Sequence, residues 1–241
     1  SLPLRQDRGF NHMFRNLFFA ALIAALCAGL ATSIIQHFRL IPLIVAAESY
    51  EGEAPHDHGE QTVAPHSHDE GEWMPADGFE RTAFTVAANL LMAAGFAFVI
   101  TAISLIFNLP VTPQTGLAWG VGGFIAFSLA PALGLPPGLP GMPVAETGAR
   151  QIWWVFAAVS TALGLLAIAK WRTWWALALA AILIVLPHVV GAPQPPLEET
   201  GVPAGLAASF ASAVLANGLV FWVVLGVSYG VLTSRFSRRV S

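Results

Sequence analysis

"NLFFAALIAALCAGLATSIIQHF", residues 16–38, runs for 23 positions without an Asp, Glu, Lys or Arg. As an α-helix it would be about 35 Å long at about 1.5 Å per residue. The hydrocarbon core of a bilayer is about 30 Å thick and takes about 20 predominantly apolar residues. The stretch therefore reads as a membrane span and not as a helix of a soluble core. A secretory signal peptide would be shorter and would close on a small-residue cleavage site before the polar segment that follows.

Five more runs of the same kind follow, at 83–107, 116–135, 152–169, 174–191 and 206–232. Only "KWRT" (170–173) separates the fourth from the fifth, so those two are expected to form a tight helical hairpin. Charged residues make up 10% of the 241-residue chain, against about 25% in a soluble domain, and the mean hydropathy is +0.66. Only helices or closed barrels satisfy the backbone in lipid, and runs of this length are helical. The fold class is thus an all-α polytopic membrane protein with about six transmembrane helices. The expected organisation is 1–12 as an N-terminal extension or expression remnant, 13–44 as the first span, 45–80 as an extracytoplasmic loop and 81–241 as a five-helix membrane bundle. The single cysteine, Cys27, rules out an internal disulfide and reads as a packing residue.

Basic residues orient the bundle. Six spans put Arg5, Arg8, Arg15, Lys170, Arg172, Arg235, Arg238 and Arg239 on one side, and Arg39, Arg81 and Arg150 on the other. Cytoplasmic segments carry the excess of Lys and Arg. Both termini are therefore expected in the cytoplasm of a bacterial inner membrane, with the 45–80 loop outside.

That loop contains "APHDHGEQTVAPHSH" (54–68), in which Ala-Pro-His-x-His occurs twice. Residues i and i+2 of an extended chain point the same way, so His56 and His58 can bite one ion, and His66 and His68 another. The proline before each pair discourages a helix, on which the two would diverge. Imidazole suits first-row transition metals, whereas Mg²⁺ and Ca²⁺ prefer oxygen. Protons compete for imidazoles whose unperturbed pKa is about 6.5, so capture should weaken below about pH 6. The bland alternative is a solvated linker or a cloning tag, and a His-rich tract can also merely buffer metal.

Ionisable groups near the spans gather at the same outer level. Gln36 and His37 end the first run, Asp77, Glu80 and Arg81 precede the second, Gln151 opens the fourth, and His188 ends the fifth. Polar groups at membrane depth are costly and mark sites. Against that, a lone histidine at a helix end is commonly interfacial, Arg39 is expected to snorkel, and Asn89 and Asn217 can simply bond between helices. Ala20/Ala24/Ala28, Ala21/Ala25/Gly29 and Gly226/Gly230 are small-residue stripes for close helix approach. "LAPALGLPPGLPGMP" (129–143) is too rich in Pro and Gly to stay helical and is expected to turn back at the outer face. No phosphate-binding loop, nucleophile elbow or cytoplasmic domain is present in the pattern, which excludes ATP hydrolysis and acyl-transfer chemistry. A di-iron oxygenase would need more histidines on the helices than His37 and His188.

The stretches "MFRNLFFAALIAALCAGLATSIIQHFRLIPLIVAAESYE", "DGFERTAFTVAANLL", "GLAWGVGGFIAFSLAPALGLPPGLPG", "RQIWWVFAAVSTALGL" and "LPHVVGAPQPP" resemble the CbtA-type family of predicted cobalt transporter subunits. The resemblance runs from Met13 to about Leu232. It implies cobalt uptake linked to cobalamin synthesis, and a small, single-span, His-rich partner of the CbtB type. It also implies that Gln36, His37, Glu48, Glu80, Arg81, Gln151 and His188 form the core site, with the histidine loop as an accessory. The family is usually described with five spans, one fewer than the run count here.

The resulting expectation is a subunit of a divalent-metal importer, for Co²⁺ with Ni²⁺ and Zn²⁺ as alternatives. Its metal residues would be His37, His56, His58, His66, His68, Glu80 and His188. No permanent cofactor, no catalytic residue and no nucleic-acid partner is expected; the surroundings are the lipid bilayer, and a homo-oligomer is compatible with the small-residue faces. The rival readings are a membrane-anchored metal sensor or buffer, and a structural subunit without transport of its own.

Overall fold

The long helices are built inside out relative to a soluble protein. On the first, Ala20, Ala21, Ala24 and Ala28 are wholly buried, while Leu26, Leu30 and Ile34 stand exposed. Elsewhere Leu91, Ile106, Ile152 and Trp174 are each exposed by 74% or more. Water would penalise such a surface at about 25 cal/mol per Å² of apolar area. Lipid does not, and small residues inside let helix backbones close on one another.

A computed structural model describes residues 3–51, 78–197 and 199–238. Among these there are helices and no strand: α1 (Pro3–Ile35), α2 (Ile41–Glu51), α3 (Phe79–Phe107), α4 (Gly116–Phe124), α5 (Ala130–Gly134), α6 (Thr147–Trp171), α7 (Trp174–Val190) and α8 (Ala204–Arg238). A π turn at Gln36–Leu40 joins α1 to α2, and another at Ile125–Leu129 joins α4 to α5. Six rods result. Five are long and apolar enough to cross a membrane, and α7, at 17 residues, is shorter.

Each π turn is followed, two residues on, by a proline: Pro42 after Leu40 and Pro131 after Leu129. A proline ring collides with the carbonyl four residues back and has no N–H to offer it. Widening the preceding turn relieves this. The amides of Ile41 and Ala130 reach five residues back, to the carbonyls of Gln36 and Ile125. Both rods thus continue past their proline. The first stays helical to Glu51, beyond the boundary expected at 44, and the third to Gly134, through the first six residues of the Pro/Gly-rich stretch expected to be non-helical. Irregular chain begins only at Leu135.

The rods alternate in direction. Asn16 Nδ2, in the first half of α1, donates to the Phe236 carbonyl near the end of α8, 3.4 Å away. At their other ends Leu40 and Ala47 pack with Val202 and Phe210. Phe18 of α1 stacks on Phe98 of α3 with centroids 5.5 Å apart. The α6–α7 hairpin turns on Arg172 and Thr173 alone, as "KWRT" predicts, with Arg172 in the left-handed conformation (φ 50°). Lys170 Nζ donates to the Phe107 carbonyl (2.8 Å), which ties the end of α6 to the end of α3.

Closest approach is between α4 and α8. A Cβ on Gly226 would lie 2.3 Å from the Gly116 carbonyl oxygen, and one on Gly120 would lie 2.5 Å from that of Trp222. Trp222 fills the centre beside Phe96 (4.7 Å) and Phe127 (5.5 Å, stacked), and its Nε1 donates to Ser128 Oγ of the second π turn (3.2 Å).

Candidate functional site

Alternation leaves two polar faces. Arg15, Lys170, Arg172 and Arg235 sit at the face that holds both ends of the described chain. Glu48, Glu80, Glu146 and Glu199 sit at the opposite, acidic face.

The acidic half holds a polar cluster at the first π turn. Gly29 lets α3 come close: a Cβ there would meet Leu90 Cδ2 at 2.8 Å and the Asn89 carbonyl at 3.3 Å. That approach brings buried Asn89 against α1, where its Nδ2 donates to Gln36 Oε1 (2.6 Å) and Ser33 Oγ (3.0 Å). Ser33 Oγ in turn donates to the Gly29 carbonyl (2.8 Å). Asn89 does bond between helices, as expected of it. Thr32, one residue before Ser33, is buried, and its Oγ1 has no hydrogen-bond partner in the structure. Buried Asn217 of α8 likewise leaves its Oδ1 unpartnered. The register that pairs Asn16 with Phe236 puts Asn217 level with Ile35, close in height to this cluster. Such orphaned acceptors are rare and call for an explanation.

His37 follows Gln36 on the same turn. Its ring is exposed and lies edge-on to Phe38, with centroids 5.1 Å apart. Arg39, too, is exposed, consistent with snorkelling. Glu80 and Arg81 are exposed in the first turn of α3, where the carboxylate complements the helix dipole.

His188 stands elsewhere. It follows Pro187 near the end of α7, which packs on α6, and its ring meets Trp153 edge-on at 5.8 Å. Trp153 Nε1 donates to the Pro187 carbonyl (3.3 Å). His188 Nε2 is buried with no hydrogen-bond partner.

His37, Glu80 and His188 therefore share a level in the bundle but are not gathered. Among the described residues no three of His, Cys, Asp and Glu stand close enough to hold a metal ion. His56, His58, His66 and His68 lie outside the described residues. Glu48 and Gln151 are exposed at the same face, and Cys27 faces outward beside Leu26 and Leu30 instead of packing inside. At the start of α6, Glu146 caps the helix by accepting from the Gly148 and Ala149 amides, each at 2.7 Å. Those two bonds, Ala149's the larger, hold its carboxyl below the ordinary value of 4.5.

Sequence reading missed Ser33 and Thr32 as members of the cluster. The signal was present in "TSIIQ": Ser33 and Gln36 are three apart, on one helix face.

Between Phe14 and Ser234 the chain matches a family model described as "Probable cobalt transporter subunit (CbtA)", residues 14–234. No curated protein and no solved structure matches it.

Proposed function

Because the chain belongs to the CbtA family of probable cobalt transporter subunits, we propose that it is the polytopic membrane component of a cobalt uptake system. The family match over nearly the whole chain carries this reading. One subunit implies another, and a small single-span, His-rich protein of the CbtB type would supply it.

Orientation follows the basic face. Excess Lys and Arg mark the cytoplasmic side, so the acidic face and the 52–77 segment look outward from the inner membrane. His56/His58 and His66/His68 capture Co²⁺ there and deliver it to His37 and Glu80. Capture through the loop explains why no three-ligand set needs to be preformed: an ion that must leave is bound by sites that are incomplete without the donor. Below His37 the amide and hydroxyl oxygens of Gln36, Asn89 and Ser33, with the unpartnered acceptors of Thr32 and Asn217, offer neutral oxygens to a partly hydrated cation. His188 serves a second position on the α6–α7 hairpin.

Flux of Co²⁺, Ni²⁺ and Zn²⁺ into proteoliposomes holding the purified chain, with and without the small partner, tests this. Saturable Co²⁺ flux, alone or with the partner, is the expected result. Absence of flux under both conditions, with metal still bound to the chain, would replace the transporter by a sensor or buffer.

A further inference from the structure

A crevice of about 420 Å³ opens between α3, α4 and α6 in the basic half of the molecule. Apart from Thr115 and Arg172, every residue lining it is apolar or glycine, and Phe127 and Trp222 close its inner end. Along α6 the wall runs from Ala162 to Arg172, a rise of about 15 Å. That is half of a hydrocarbon core about 30 Å thick, the depth of one leaflet.

Arg172 stands at the mouth, exposed, at the level of the Lys/Arg-rich face. It occupies a left-handed helix cap (φ 50°), a conformation in which glycine is the ordinary choice. Its neighbour Lys170 is engaged with the Phe107 carbonyl, so Arg172 is the cation this crevice presents.

We propose that the crevice holds one acyl chain of an anionic phospholipid, with the phosphate held by Arg172. The depth matches a chain within a single leaflet, and the lining offers an acyl tail nothing polar but Thr115 until the guanidinium. A free phosphate would gain nothing from those walls. Basic pockets between membrane helices recognise anionic headgroups on this side of the bilayer, and guanidinium matches phosphate geometry. The inference rests on the membrane reading of the fold and not on cobalt as the cargo.

Native mass spectrometry of the full chain, released from micelles with added phosphatidylglycerol or phosphatidylcholine of equal chain length, tests it. One retained phosphatidylglycerol per chain is expected, in preference to phosphatidylcholine. Gly122 points into the crevice with only Leu165 Cδ1 near a new Cβ, at 4.0 Å. Gly122→Leu should therefore fill the space without disturbing a helix contact and abolish retention of both lipids. Arg172→Asn, which tolerates the left-handed cap, should lower phosphatidylglycerol retention about fivefold and erase the headgroup preference. Wild-type retention in both variants, or no retained lipid in the parent chain, would overturn the proposal. The Arg172→Asn measurement stands even if the Gly122→Leu chain fails to fold.

Discussion

Asn89 is a polar residue at membrane depth that spends both amide hydrogens on the first rod, one on Ser33 of α1 and one on Gln36 of the π turn. Interhelical hydrogen bonds in lipid contribute about 0.6 kcal/mol each on average, and at most about 1.7. Asn89→Leu should therefore cost about 1–2 kcal/mol in reversible unfolding in mixed micelles, because it also strands Gln36. If those oxygens serve the ion, Co²⁺ uptake should fall well beyond what that loss explains. For the histidines, His37→Ala and His188→Ala should each abolish uptake at any Co²⁺ supply. The fourfold His56/His58/His66/His68→Ala variant should fail only at low supply; equal failure at all concentrations would make the loop part of the path. Glu146 gives a pH signature. Its folded pKa is depressed, so its contribution is present above the unfolded value of 4.5 and is lost as pH falls through the lower folded one. Hydrogen exchange at the Gly148 and Ala149 amides should accelerate, beyond the intrinsic trend, as the pH falls through this lowered value, and Glu146→Gln should remove that step.

Between elements, small residues set the distances. Gly226 of α8 has the Gly116 carbonyl where its Cβ would go, and Gly230 meets Thr112 in the same way, 2.3 Å in each case. Backbone cannot swing aside as a side chain can. Gly226→Leu should cost about 3 kcal/mol or more and appear as loss of monodispersity in detergent. Gly95 of α3 is the contrast, with nothing within 4 Å of a new Cβ. Gly95→Ala should leave the protein intact or stabilise it by about 0.5–1 kcal/mol. The stripes Gly226/Gly230 and Ala20/Ala24/Ala28 were legible as packing faces. Which helix each one met was not, because a four-residue spacing is the same for every partner.

For the molecule as a whole, α7 decides how many times the chain crosses. Its 17 residues reach about 25 Å, at the short limit for a span. The contact of Asn16 with Phe236 puts the first and last rods' outer parts at one face of the bundle, the arrangement that six crossings would give. In a Cys27→Ser background, a cysteine introduced by Thr173→Cys should react with an impermeant maleimide only from the basic side. One introduced by Thr200→Cys should react only from the acidic side. Labelling of both from one side would leave α7 at one surface and five crossings, and would overturn the reading of six.

Hydrophobic run length and charge depend on residue type alone, so the membrane class, the number of rods and the tight α6–α7 turn could be read from the chain before it was folded. The sum of apolar residues along a helix needs no partner to be read. Tertiary structure settled what depends on neighbours: that Asn89 closes on Ser33 and Gln36, and that His188 stands apart from His37 and Glu80. The stretch 129–143 read as non-helical from its Pro and Gly content, a local fact, whereas the structure keeps it helical to Gly134 by widening the turn before Pro131. Convergence at one level was readable from alternation; convergence at one point required knowing which helices touch.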